Sequence, residues 1–541
     1  MENNRKNRHD EKAQGNAQDA NSRHFAQECR LMFGMEGASL QKCAKWLLEF
    51  KEPKLAAKSY KSGKDIFLPC TDYPEKARFE SMAEAVGENA KITLSINDVK
   101  DIDSLVRAAG ESFAYTGNMV FGNSTDVSES ADVSESHCVT SSTRVDKSRA
   151  VGYSTIVKES SFIYGCNVIS LSEHCMRCHQ VASLNRCFEG SFNIDSSDCY
   201  YTYYCNGCTD CIFCFNQRNA RHCIGNLKLP ADKYAGIKKS LVSQMRDTIE
   251  SRHELPSLPE ILNQSPPPKL AKGFLQAGKP PANTQAYSAG GNVERAFEQT
   301  SRLLLGTQLQ LGRTGNWLSK HNIRIRQVKS AASCEPMPAP SYQNFLAFDG
   351  KRYVSAREAQ EAAKLAISPQ AAMSMTLGNA PSVIGGIAFI CPEFHEGNAK
   401  NAHNCPITLN AADCESVHGC VYMKKSAYST WSRNSECIFG CAFTFDTSFC
   451  INCYNSFGLS RCFEVDCGRG CTGCYYCHNV ENVHDSMFCF NAKNLRYAIG
   501  NVEVGKERFL GAKKILLAWL GARLESGNGM ELGIFNLAAK P

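Results

Sequence analysis

Residues 124–170 read STDVSESADVSESHCVTSSTRVDKSRAVGYSTIVKESSFIYGCNVIS, and the fold follows from which positions repeat. Counting in threes gives Val127, Ser130, Val133, Ser136, Val139, Ser142, Val145, Ser148, Val151, Ser154, Val157, Ser160 and Ile163. The phase runs on through Cys166, Ile169, Ser172, Cys175, Cys178, Val181, Leu184 and Cys187 to Cys199, Thr202, Cys205, Cys208, Cys211, Cys214 and Cys223, with exceptions such as Asn193 and Gln217. A period of three matches neither an α-helix nor a flat strand. It matches a narrow solenoid in which turns regularly interrupt short extended segments. Folding the chain at 12 residues per coil produces uniform columns, one of them Val127, Val139, Val151, Ile163, Cys175, Cys187, Cys199, Cys211, Cys223. Such columns are expected when like side chains stack at about 4.8 Å from coil to coil.

A coil this tight has room only for small side chains. Val, Ser, Thr, Ala and Cys have similar volumes, and Cys behaves as a small hydrophobe. An inward Ser needs a hydrogen-bond partner, which a neighbouring coil's backbone or the next Ser in its column can supply. Ten of the 11 cysteines between 124 and 226 share the phase, as do 11 of the 13 between 405 and 501, so the cysteines read as core.

The second stretch is a copy of the first. Residues 213–226, FCFNQRNARHCIGN, match residues 488–501, FCFNAKNLRYAIGN, and Arg186-Cys-Phe-Glu189 matches Arg461-Cys-Phe-Glu464, both at an offset of 275. Upstream, Arg30-Leu-Met-Phe-Gly34 pairs with Arg302-Leu-Leu-Leu-Gly306. The expected fold is mainly β with helical caps: a tandem duplication of a narrow, cysteine-rich, right-handed β-solenoid of about 12 residues per coil. The boundaries read as a disordered tail 1–22, a helical or mixed N-terminal cap region 23–123, solenoid 124–226, capping helix 227–250, Pro-rich linker 251–295, a second cap region 296–404, solenoid 405–501, capping helix 502–525 and tail 526–541. The linker carries seven prolines and is expected to be extended or mobile.

The solenoid geometry resembles the small cysteine-rich β-helices of insect antifreeze proteins, which also place inward residues three apart in 12-residue coils. Their flat Thr-x-Thr array is missing here, so the resemblance implies no ice binding. The ending Arg218, Asn219, Cys223, Ile224, Asn226 with Tyr234 resembles that of an uncharacterised class of cysteine-rich bacterial solenoid proteins, which implies a cap and no activity.

Chemistry-bearing motifs are read against this rhythm. Cys175-Met-Arg-Cys178-His179 and Cys474-Tyr-Tyr-Cys477-His478 match a covalent haem pattern, but a three-residue rhythm makes CxxC inevitable and neither motif recurs in the other copy. Cys205, Cys208, Cys211 and Cys214 have metal-ligand spacing for zinc or an iron–sulfur cluster, while the second copy has Val480, Val483, Ser486 and Cys489 there. Cysteines six apart, such as Cys208 and Cys214 or Cys414 and Cys420, are expected to face each other across a coil. His137, His174 and His222 invite comparison with hexapeptide-repeat acyltransferases, whose inward spacing and Gly are absent. No phosphate loop, GxSxG or HExxH is present, and no enzyme activity is expected.

The chain carries 29 cysteines in 541 residues and a net charge of +6. The solenoids are acidic, at −3 and −1, and the remainder is +10. The polar N-terminal segment and the lack of a long apolar run point to a cytoplasmic protein with reduced thiols. The first functional expectation is a non-catalytic scaffold presenting two rigid faces to a protein partner through the outer tyrosines Tyr200 and Tyr201. The alternatives are a nucleic-acid or ribonucleoprotein binder using Arg218, Arg221, Lys238, Lys239, Arg496, Lys513 and Lys514, and a metal or redox protein using the cysteine columns.

Overall fold

The three-residue rhythm has a backbone cause. In the computed structural model, which describes residues 2–51, 56–87, 113–268, 290–524 and 529–539, the residue before almost every inward position has a left-handed conformation. Asp126, Glu129, Asp132 and Glu135 have φ of 55°, 47°, 57° and 45°. Each such residue turns the chain by one corner, so four triplets close one coil. Left-handed backbone costs an ordinary residue about 1–2 kcal/mol, and Asn, Asp and Gly tolerate it best. Those types occupy many of the corners, as at Asp195, Asp198, Gly207, Asp210, Asn216 and Asn219, or Asn401, Asn404, Asn410 and Asp413.

Successive coils pair in parallel with a register shift of 12 residues: Val127 with Val139, Val139 with Val151, Val151 with Ile163, Ile163 with Cys175 and Cys175 with Cys187. The second solenoid repeats this, with Ala402 beside Cys414 and Cys453 beside Val465 beside Cys477. In the early coils of each tube alternate strands form two faces, which merge into one sheet at Asn185–Ser191 and at Ser448–Phe457.

Inside each tube the polar residues form ladders. The Ser136 hydroxyl donates to the Ser134 carbonyl at 2.6 Å and accepts the Ser148 N–H of the next coil at 3.0 Å. The same double role passes through Ser148, Ser160 and Ser172, and along a second column through Ser130, Ser142 and Ser154. Cysteine takes over without a break. Cys166 Sγ donates to the Tyr164 carbonyl at 3.6 Å and accepts the Cys178 N–H at 3.3 Å. The exceptional Asn193 also fits, its Oδ1 accepting the Cys205 N–H at 2.8 Å and its Nδ2 donating to Thr202.

Part of the outer surface of each tube is also apolar, and this reshapes the expected domain plan. One outer column is Tyr164, Met176, Phe188, Tyr200, Ile212 and Ile224, all buried. The helix Glu2–Phe33 runs lengthwise over this side with Phe25, Cys29, Met32 and Phe33, so residues 2–22 of the segment 1–22 expected as a disordered tail instead extend a docked helix. Once the docked end has formed, adding turns needs little further free energy. In the second copy Gly290–Leu305 covers Phe439, Ile451, Phe463 and Tyr475 in the same way. These helices are lateral covers and do not stack on the tube ends as caps.

The remaining cover is exchanged between the copies. Residues 66–79 and 113–115, from the first copy, pack on the second solenoid, with Phe113 stacked on Phe490 at 4.4 Å. Residues 337–390, from the second copy, pack on the first solenoid, where the Tyr203 hydroxyl donates to the Cys391 carbonyl at 2.6 Å and Asn226 to the Leu365 carbonyl at 2.9 Å. The linker is likewise not free at its start. Leu255, Leu258, Ile261 and Leu262 are buried, and Leu258–Gln264 is a helix with a Ser257/Glu260 capping box. Residues 269–289 of the linker lie outside the described residues. Helices Ala231–Arg252 and Lys506–Leu524 follow the last coils, as expected of capping helices. Among the described residues no helix is long and apolar enough to cross a membrane.

Candidate functional site

The two tubes lie side by side and run in opposite directions. Arg469 of the second solenoid pairs with Asp132 of the first at 2.8 Å and covers the Phe121 ring. Arg144 reaches Asn455 at 2.9 Å and stacks on Phe443. Lys158 lies 5.5 Å from the centre of the Phe445 ring. Farther along, Glu396 accepts hydrogen bonds from Asn206 at 2.8 Å and from Arg218 at 2.6 Å. As the first number rises the second falls, which is the signature of an antiparallel pair. The two solenoids thus form a packed pair, in contrast to the separate modules on a loose linker that the sequence suggested.

Between the Lys158–Phe445 contact and the Asn206–Glu396 contact the tubes separate and leave a cleft of about 620 Å³. Its walls are outward columns of both solenoids. The first contributes Ile156, Val168, Phe192, Ser170, Ala182 and Ile194; the second contributes Ile407, Leu409, Val421 and Trp431. Phe192 and Phe394, with ring centres 6.2 Å apart, meet at one side. Leu171 and Tyr422, 51% and 47% exposed, stand at the rim. The lining is predominantly apolar, and a volume of this size suits one small molecule or a few inserted side chains.

Several of the lining residues sit at left-handed corners, among them Leu171, Phe192 and Trp431, and two of these corners are β-branched. Ile156 and Val168 are β-branched yet hold φ of 57° and 60°. Strain of this kind costs about 1–3 kcal/mol per residue. Val168→Asn is therefore expected to stabilise the protein by about 1 kcal/mol, read as a rise in the denaturation midpoint, while making the cleft wall polar.

The residues singled out from the sequence are distributed differently. Arg218 is at the cleft, paired to Glu396. Lys238 is committed to Asp210 at 2.9 Å and lies over Tyr200 and Tyr234, and Lys513 lies 4.6 Å from the Tyr475 ring. Arg221, Lys239, Arg496 and Lys514 are exposed. Tyr200 and Tyr201, expected as an open contact face, are buried, their hydroxyls donating to the Met32 and Pro256 carbonyls. An apolar column on a rigid tube recruits the chain's own helices before any external partner.

Cys205, Cys208, Cys211 and Cys214 point inward, and each donates its thiol to backbone carbonyls, as Cys205 does to Tyr203 and Cys214. Burial pushes the thiols of Cys166, Cys405 and Cys453 well above the ordinary value, whereas hydrogen bonds from neighbouring thiols pull Cys178, Cys208, Cys462 and Cys477 below it, so the thiol columns carry no single protonation bias. The closest approach described between two cysteines six apart is that of Cys420 Sγ to Cys414 Sγ, 3.4 Å across one coil. All 29 cysteines are free thiols; Cys334 is exposed, and Cys70 and Cys138 are partly so. Native protein is expected to titrate at most these three with a thiol reagent, and denatured protein all 29.

Among the described residues, one group has donor atoms close enough to share a metal ion: Asp466, Cys467 and His478. Their geometry is that of a hydrogen-bonded latch. His478 Nδ1 faces Asp466 at 2.9 Å and its Nε2 accepts the Thr116 N–H at 2.9 Å, while Tyr73 donates to Asp466 at 2.5 Å. Burial would raise the Asp466 carboxyl, but the hydrogen bonds from His478, Tyr73 and Asn455 hold it below the usual carboxylate value. Tyr73 and Thr116 belong to the first copy, so this network fastens the exchanged cover. The sequence reading missed this role of His478, because the first-copy members of the network, Tyr73 and Thr116, lie more than 350 residues away.

No protein family, curated protein or solved structure matches this chain.

Proposed function

We propose that the protein is a non-catalytic scaffold that presents rigid solenoid surfaces to a protein partner, in a reducing, cytoplasmic setting. The observation that carries this reading is the pairing of two pre-formed tubes around one apolar cleft whose rim bears exposed Leu171 and Tyr422. Rigid repeat surfaces bind without the entropy of ordering a loop. The complement of free thiols supports the reducing setting. The nucleic-acid alternative draws less support, because Lys238 and Arg218 are already neutralised by Asp210 and Glu396.

A photo-crosslinking amino acid placed at Leu171 and, separately, at Tyr422 tests the reading in the protein's own cells. One protein adduct shared by both positions and missing from a control position, Leu510 on the last helix, is expected. Absence of any shared adduct would remove the reading.

A further inference from the structure

We propose that the interior of the cleft binds a single-chain amphiphilic anion, specifically a long-chain carboxylate, with its chain along the apolar walls and its carboxylate against Arg433, assisted by Lys158. This goes beyond the scaffold reading, which concerns the rim.

The dimensions come first. The first-solenoid wall from Lys158 to Asn206 spans four coil steps, or about 19 Å at the strand spacing. One acyl chain accounts for about 15 Å, half of a bilayer's hydrocarbon core. The cleft thus holds one extended chain and its head group, and its volume of about 620 Å³ leaves no room for a bilayer-like cluster. The walls are aliphatic and aromatic along this length, with Ile156, Val168, Ile194, Leu409, Val421 and Trp431.

Charge decides the orientation. At the far end Arg218 and Asn206 already satisfy Glu396. At the near end the half-buried Arg433 has no ion-pair partner among the described residues, and its Nε has no hydrogen bond. Lys158, whose ammonium lies by the Phe445 ring, has its nearest carboxylate at Glu159, 3.8 Å away, with Asp146 on the neighbouring coil. Arg433 and Phe445 are strand partners one coil apart, which sets both cations at the same end of the cleft. A half-buried guanidinium beside an apolar channel is a seat for a carboxylate, which it binds by paired charge-assisted hydrogen bonds. Gln180, a cleft-lining residue nine-tenths buried, also has neither amide atom bonded. The strained apolar corners at Ile156 and Val168 keep the channel greasy where Asn would suit the backbone better.

The test uses full-length protein stripped of lipid. A dansylated undecanoic acid is bound first and then displaced by palmitate or by methyl palmitate, with Trp431 emission as a second readout. Saturable binding of one probe per chain is expected, with palmitate displacing it at least tenfold better than the ester. Arg433→Gln is expected to weaken palmitate about tenfold, or about 1.4 kcal/mol, and to leave the ester unchanged. Ala182→Trp fills the channel and is expected to abolish binding of both; far-ultraviolet circular dichroism confirms that the fold is kept. Failure of the probe to bind, equal displacement by acid and ester, or undiminished binding by folded Ala182→Trp would each overturn the proposal. None of these results bears on the crosslinks at the rim, so the two readings fail separately.

Discussion

Replacing Glu189 by Gln is expected to destabilise the protein by about 3–5 kcal/mol, the usual cost of leaving a buried charge without its partner. Arg177 is 1% exposed and lies between the first solenoid and its covering helices. Its Nε donates to Glu189 at 2.5 Å, one terminal nitrogen donates to Glu49 at 2.6 Å and the other to the Trp46 carbonyl. Glu49 is partly exposed, so the remaining pair is screened and replaces little of what is lost. Arg177→Met together with Glu189→Gln is expected to recover most of the loss, because no unpaired charge is left behind. Denaturant midpoints of the two single variants and the double variant supply the comparison.

Burial also pushes the Glu189 carboxyl up, to about 7, against the Arg177 charge, and the duplicated position has the burial without the cation. Glu464 is the counterpart of Glu189, and Asn452 stands where Arg177 would be. Glu464 accepts the Ile534 N–H at 2.7 Å and an Asn452 hydrogen bond at 2.8 Å, with no cation in contact among the described residues. Burial pushes its carboxyl up to about 7, against those hydrogen bonds. A carboxyl whose folded value lies above its ordinary one favours the protonated folded state. The stability it contributes is complete below about pH 4.5 and is lost as pH rises through about 7. Glu464→Gln should therefore be close to neutral at pH 5 and stabilising by about 1–3 kcal/mol at pH 8. The amide fits because Asn452 Oδ1 has no partner and can receive it once the Asn side chain turns over. Unfolding curves at the two pH values check the sign, and equal losses at both would show that Glu464 is ionised and paired.

The second large effect lies inside the tube. Asn193→Leu is expected to cost about 2–4 kcal/mol, because it strands the Cys205 N–H and removes the Thr202 hydroxyl's partner in a site without access to water. Asn193→Ser should cost much less, since a hydroxyl is the standard acceptor of these ladders, as at Ser136 and Ser154. By the same logic Cys166→Ser keeps both bonds of its column. Thermal or chemical unfolding of Asn193→Leu beside Asn193→Ser separates a hydrogen-bond loss from a volume change; equal losses would mean that packing alone governs the position.

The tubes were written in the sequence in full. Inward Val127, Ser136, Cys187, Cys211 and Cys462 obey a local rule in which every third side chain must be small, and neither copy needs the other to satisfy it. The ladder role of Ser and the packing role of Cys follow from the same rule. The left-handed corners also left a trace that the triplet reading passed over, the Asn, Asp and Gly residues just before inward positions, as at Asp126, Asp210, Asn410 and Asn491. What the outward residues do could not be read in that way. Tyr200, Tyr201 and His478 look like surface in a periodic pattern, but their neighbours are Met32, Pro256, Tyr73 and Thr116, brought in from elsewhere in the chain. Only the folded chain decided that each copy covers the other, that the tubes run antiparallel, and that Arg433 faces a cleft. Periodicity specifies which side of the chain is inside, whereas the partner of an outside surface is selected by shape and charge over hundreds of residues.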